Sequence, residues 1–123
     1  MFKKSGKLEL KDLDFYIHNR QKIYNYNLTK ELESNIYNTV MICIKDSLNT
    51  IILEAEGKVE YRKPMNCIYE LYVGEENITE FLYNNINKYI NVELIVMEQI
   101  EDEVANKKGD NEKDEPDKLR KKS

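Results

Sequence analysis

The stretch from Thr29 to Gly57 constrains this chain more than any other, because it is the only patterned run long enough to organise a domain. Leu32, Ile36, Val40, Ile44, Leu48 and Ile51/Ile52 recur about every four residues, with Cys43 and Ala55 beside the same stripe. Glu31, Glu33, Asn35, Asn38, Lys45, Asp46 and Asn49 fill the intervals. That period predicts one long amphipathic helix. Thr29 is placed to cap its start with a hydroxyl acceptor, and Gly57 to end it in a left-handed conformation. The β character of Thr50–Leu53 leaves a second reading, in which the helix stops near Leu48 and a strand follows.

On either side the patterns are shorter. Residues 1–6 read as a flexible arm. Lys7-Leu8-Glu9-Leu10-Lys11 alternates polar and apolar, and Leu13, Phe15 and Ile17 continue it, so a strand or hairpin covers residues 7–17. Lys63-Pro64 reads as a helix start and Gly74 as its stop. Asn77 caps a further helix carrying Ile78, Phe81, Leu82, Ile86, Tyr89 and Ile90 on one face, with Glu80 in capping-box position. Val92, Leu94 and Val96 alternate like a strand, whereas Val92, Val96, Ile100 and Val104 keep a period of four. The helix is preferred there because the pattern outlasts a typical strand. The expected fold is therefore mainly α: a short N-terminal strand or hairpin, one long helix, then two or three shorter helices. The alternative is α+β, with residues 50–62 and 92–100 as strands. Residues 7–104 form one expected domain, residues 105–123 an expected disordered charged tail, and no internal repeat is evident.

Composition narrows the function classes. A formal net charge of −4 works against general nucleic-acid binding, which needs a basic surface. His18-Asn19-Arg20-Gln21-Lys22-Ile23-Tyr24-Asn25-Tyr26 does interleave cations with aromatics, so a small nucleic-acid-binding regulator remains a minor alternative. There is no secretory pattern and no membrane-length apolar run, so the cytoplasm of a bacterial host is expected, with Cys43 and Cys67 as reduced core thiols. His18 is the only histidine and lies in an expected turn. The carboxylates Glu54, Glu56, Glu75, Glu76, Glu101, Asp102 and Glu103 lack any metal-loop spacing, and the glycines form no phosphate cradle. No enzyme, cofactor or metal site is expected.

Leu13-Asp14-Phe15-x-Ile17, Tyr26 with the expected long helix after it, and Glu70-Leu71-Tyr72-Val73-Gly74-Glu75 give the chain an order that resembles the small tail assembly chaperones of long-tailed phages and prophages of Gram-positive bacteria. The resemblance implies a non-catalytic protein that coats a long helical tape-measure protein until tail-tube subunits assemble, then leaves the particle. The expected partner is that protein or another tail protein, with a homo-oligomer as the alternative association. The expected docking face comprises Tyr69, Tyr72, Phe81 and Tyr83. A structural neck or tail subunit of a phage-like particle is the alternative, and it requires the α+β fold.

Overall fold

In a computed structural model, which describes residues 1–64 and 68–99, the chain is built on one antiparallel sheet. Its elements are β1 (Phe2–Lys11), β2 (Asp14–Asn19), β3 (Tyr24–Asn27), α1 (Leu28–Glu33), β4 (Thr39–Asp46), β5 (Ile51–Arg62), β6 (Glu70–Val73), β7 (Glu76–Asn77), α2 (Ile78–Tyr83) and β8 (Tyr89–Glu98). The expected mainly α fold is thus overturned. Where a helix was expected from Thr29 to Gly57, there is one short helix followed by two long strands.

The reason is arithmetic. A spacing of four residues is also a multiple of two, so Val40 and Ile44 fit either period. Ile42 decides between them: it completes the two-residue alternation and is fully buried with them, while Leu48, supposedly on the helical stripe, is 83% exposed. Leu48 sits in a turn that would stop any helix. The Asp46 carboxylate accepts the N–H groups of Leu48 and Thr50, both at 2.9 Å, and Asn49 takes φ +67°. The same ambiguity misread β8, where Val92 and Leu94 are buried in alternation. The strands of the α+β alternative, residues 50–62 and 92–100, coincide with β5 and with the C-terminal part of β8 as far as Glu98. Phe2–Gly6, expected as a loose arm, is half of β1 and pairs with β8. Of the helix expected from Pro64 to Gly74, the described residues from 68 onward form no helix, and Glu70–Val73 are β6, while residues 65–67 lie outside the described residues. Ile100, Val104 and the tail from 105 lie outside the described residues.

The strand order is β3-β2-β1-β8-β4-β5-β6-β7. Exchanging β1 with β5, β2 with β6, β3 with β7 and β4 with β8 returns the same order reversed, which is the signature of a pseudo-two-fold. The chain is a duplicated β-β-β-α-β unit, contrary to the expectation of no internal repeat. Asn27, Thr29, Leu32, Asn35 and Ile36 recur as Asn77, Thr79, Leu82, Asn85 and Ile86, each fifty positions on, and Gly6-Lys7-x-Glu9 recurs as Gly57-Lys58-x-Glu60. Cys43 faces its own equivalent, Glu93, across the β4–β8 pair, so the pseudo-axis passes through that pair.

The shared residues have shared jobs. Asn27 and Asn77 cap α1 and α2, accepting from Lys30 N–H at 2.9 Å and Glu80 N–H at 3.0 Å. Thr29, expected as the cap, instead accepts the buried N–H of Phe15 at 2.8 Å, as Thr79 accepts that of Leu71 at 2.9 Å. Each hydroxyl latches its helix to the middle strand of its own half. Asn35 and Asn85 donate side-chain N–H groups to the carbonyls of Glu31 and Phe81, four residues back. Tyr37 and Asn87 then turn the chain at φ +71° and +72°, and their N–H groups reach the carbonyls of Val59 and Leu8, each on the opposite half's first strand. Gly6 and Gly57 mark where β1 and β5 pass their second partner so closely that a Cβ would sit 2.4 Å from the His18 carbonyl oxygen and 2.5 Å from Gly74 Cα.

The halves are interlocked, because β1 pairs with β8 and β5 with β4. The core follows the same rule. Leu8/Val59, Phe15/Leu71, Ile17/Val73, Leu28/Ile78, Leu32/Leu82, Val40/Ile90, Ile42/Val92 and Ile44/Leu94 are all buried, and among the described buried hydrophobic residues only Leu53 and Ala55 lie outside such pairs.

Candidate functional site

Where the halves meet, both copies of several core positions line one groove of about 220 Å³. Its floor holds Phe15 and Leu71, Thr29 and Thr79, Leu32 and Leu82, with Ile78. The pseudo-axis therefore runs through a concavity that neither half forms alone. Its rim is apolar and open: Leu13 is 84% exposed, Ile68 72%, Tyr69 65%, Tyr83 46% and Tyr61 42%. Grouping of large apolar side chains at one place is informative where scattered ones are not. Tyr83 also packs edge-on against Phe15, with ring centroids 5.2 Å apart, so the rim is braced by the floor.

The two walls differ because the duplication has diverged there. The position of Glu33 in α1 is occupied by Tyr83 in α2. Asp14 and Glu33 make the groove acidic on one side, while Ile68, Tyr69 and Tyr83 make it apolar on the other. The Tyr61 hydroxyl donates to Glu33 Oε2 across the groove. Burial pushes the Tyr61 phenol far above its ordinary value, and the Glu33 hydrogen bond and charge push it further.

Leu13 is the least expected member. It follows Asp12 in the two-residue loop between paired Lys11 and Asp14. Both loop residues have positive φ, +53° and +71°, the geometry of a type I′ turn, which favours Asn-Gly or Asp-Gly. A leucine there costs roughly 1–2 kcal/mol of backbone strain and, being exposed, recovers none of it by burial.

Of the four residues expected to form a docking face, the structure brings Tyr69 and Tyr83 together on this rim. Tyr72 lies outside it, under the Arg62 guanidinium at 4.8 Å, in a shallow pocket shared with Glu70, Asn77 and Tyr83. Phe81 turns inward and packs half-buried against the core. Leu13, Tyr61 and Ile68 were missed. Only the hairpin register, which places a leucine where turn chemistry wants glycine, would have exposed Leu13.

The remaining groups offer less. Lys7, Glu9, His18, Asn19, Arg20, Gln21, Ser47 and Tyr89 line a wide polar cleft of about 820 Å³ where β1 leaves β8 for β2. His18 lies within β2, next to its last residue Asn19, rather than standing in a turn. Tyr24 and Tyr26, the candidate stacking platform for nucleic acid, each carry the Lys4 ammonium about 5 Å from the ring centre, at 4.9 and 5.1 Å. The Tyr24 hydroxyl is also tied to the Ser5 carbonyl at 2.7 Å. Cys43 is half-buried. Burial raises its thiol above the ordinary value, as do Glu54 and Glu93 against a smaller opposing effect of Lys45, so it is a poor nucleophile. Cys67 and the carboxylates Glu101–Glu103 lie outside the described residues. Among the described residues no group of three or more His, Cys, Asp or Glu could hold a metal ion, and no helix is long and apolar enough to cross a membrane.

No protein-family model, curated protein or solved structure matches the chain at a significant level.

Proposed function

We propose that the chain is a non-catalytic protein-docking module whose groove at the junction of its two halves takes an apolar segment of a partner protein. The observation that carries this is the rim: five large apolar or aromatic side chains stand exposed around one concavity, and one of them, Leu13, is kept there at a cost in backbone strain. Strain retained without a packing return is characteristic of functional positions. Exposed aromatics over a packed floor are the composition of an interaction hot spot.

A chaperone for a tape-measure-like protein is one form of this reading, since an extended helical partner presents apolar side chains at regular intervals. The elements that suggested it were expected helices, and those are now strands, so its support is the groove alone. A structural subunit of a phage-like particle is the second reading. It is favoured by the sheet, since β1, β2, β5 and, as far as Glu98, β8 fall on the segments which that reading takes as strands.

The test places a photo-crosslinking residue at Leu13 and, as control, at Leu48, which is equally exposed on a distant turn. In the native host, Leu13 is expected to capture one protein that Leu48 does not. Binding of that protein, once purified, is expected to fall about ten-fold or more in Tyr83→Ala. Identical capture from both positions, or unchanged binding by Tyr83→Ala, contradicts the proposal. Presence of the chain in purified particles selects the subunit reading, and its absence selects the chaperone.

A further inference from the structure

We infer that a second copy of this chain docks end to end: the turn between β2 and β3 of one copy, led by Ile23, enters the pocket beside β7 of the next. The inference concerns the two ends of the sheet and stands whatever fills the groove.

It begins from a strained residue. Pairing of Asn19 with Tyr24 leaves Arg20-Gln21-Lys22-Ile23 as the β2–β3 turn. Ile23 closes that turn at φ +56° and is 88% exposed. A β-branched residue at positive φ is an outlier, and asparagine or glycine would sit there more easily. Its exposure means that burial within the chain does not offset the strain, which is the mark of a functional position. Arg20 and Lys22, both exposed, flank it. The turn therefore presents one apolar side chain among cations, next to β3, the edge strand at that end. Asp14 and Glu31 also reach β3, but they are half-buried and tied to the side chains of Asn27 and Tyr26.

The opposite end supplies the complement. Its edge strand is β7. Pro64, Tyr72 and Tyr83 line a pocket of about 370 Å³ there together with Glu70 and Glu80. Glu75 and Glu76, on the same edge, are exposed. Arg62 lies over the Tyr72 ring, but it is already shared by Glu60 at 3.0 Å and Glu75 at 3.6 Å, which leaves carboxylates in excess. The polarity runs through each end of the sheet. Residues 2–27, which make β1 to β3, hold six Lys/Arg against three Asp/Glu, whereas residues 51–77, which make β5 to β7, hold three against six. Equivalent positions show the reversal: Lys3 answers Glu54, and Tyr26 answers Glu76.

Charge at a sheet edge ordinarily guards it against pairing, and a guard against every copy needs the same sign at both ends. Here the signs are opposite. Two β3 ends repel each other, as do two β7 ends, so a symmetric dimer through either is disfavoured. A β3 end and a β7 end attract. Such a head-to-tail contact leaves one unused end on each side, so assembly continues until a ring closes or a filament forms.

The test is sedimentation velocity of the full chain over a range of concentrations, at low and at high salt. The native chain is expected to exceed the mass of one copy, to grow beyond two copies as concentration rises, and to shrink as salt is added. Arg20→Glu/Lys22→Glu and Glu75→Lys/Glu76→Lys each reverse one end at exposed positions, and each alone is expected to weaken association about ten-fold or more. Mixed one-to-one, the two variants are expected to associate, because the native β3 end of the second meets the native β7 end of the first. Ile23→Asn is expected to weaken assembly likewise while raising the urea midpoint, since asparagine tolerates positive φ. A lower midpoint would assign Ile23 to the fold and overturn its role as the anchor. A native chain that stays single at every concentration, a dimer that grows no further, assembly indifferent to either reversal, or mixed variants that remain apart overturns the inference.

Discussion

The first half of the molecule, β1 to β4, and the second, β5 to β8, are the same design built twice, and their differences are more instructive than their likeness. What they share is packing and backbone chemistry: capping asparagines, threonine latches, and core positions that correspond pair by pair. The differences that bear on the proposed function lie around the pseudo-axis groove. The first half closes β1 to β2 with the strained Asp12-Leu13 loop, whereas the second uses the longer connection that carries Ile68 and Tyr69. Glu33 in one helix answers Tyr83 in the other. Divergence beside the pseudo-axis, over a shared frame, is how a symmetric scaffold acquires a groove with two different walls.

The comparison can be broken at its floor. Leu32→Ala and Leu82→Ala each remove a fully buried side chain at equivalent positions, and each is expected to cost about 2–5 kcal/mol in urea unfolding. Similar losses support a shared core, and a near-neutral result at either position breaks the equivalence. The latches sharpen it further. Thr29→Val and Thr79→Val keep the shape but strand the Phe15 and Leu71 N–H groups, at about 1–3 kcal/mol each. Thr29 is the more buried of the two, so its loss is expected to be the larger.

Leu13 tests the opposite sign. Leu13→Gly should raise stability by about 1 kcal/mol through relief of the positive-φ strain while weakening partner binding. A loss of stability would show that the leucine is there for packing. The smallest effect is expected from pH. Tyr61 and Tyr26 both titrate above their ordinary value in the folded chain, held protonated in part by hydrogen bonds to Glu33 and Glu31. The unfolded chain therefore loses these protons first, so stability is full below about pH 10 and falls as pH rises beyond it. Tyr61→Phe should flatten that decline, measured as unfolding midpoints between neutral and alkaline pH, and an unchanged slope would remove the Tyr61–Glu33 bond from the account.

Much of this was legible only in part. The hairpin at 7–17 and the Asn77 cap could be read, because strict alternation and capping chemistry are local signals. Helix and strand could not be separated at Val40, Ile44, Val92 and Val96, where a four-residue spacing serves both. The duplication was hidden because its offset changes along the chain: Gly6 and Gly57 stand fifty-one positions apart, Phe15 and Leu71 fifty-six, Asn27 and Asn77 fifty. A longer β5–β6 connection and a shorter β6–β7 turn cause those shifts. Tyr69 and Tyr83 could be suspected as exposed aromatics, but only the fold shows that Leu13, far away in sequence, stands on the same rim.

The interlocking of the halves is tested most directly by cutting the chain in the β4–β5 turn and producing residues 1–48 and 49–123 as separate fragments. Neither should form a cooperative fold alone, since β1 needs β8 and β5 needs β4. Mixed, they should assemble one-to-one and regain a single cooperative unfolding transition by circular dichroism. A fragment that folds stably by itself, or a mixture that remains unfolded, would contradict the account.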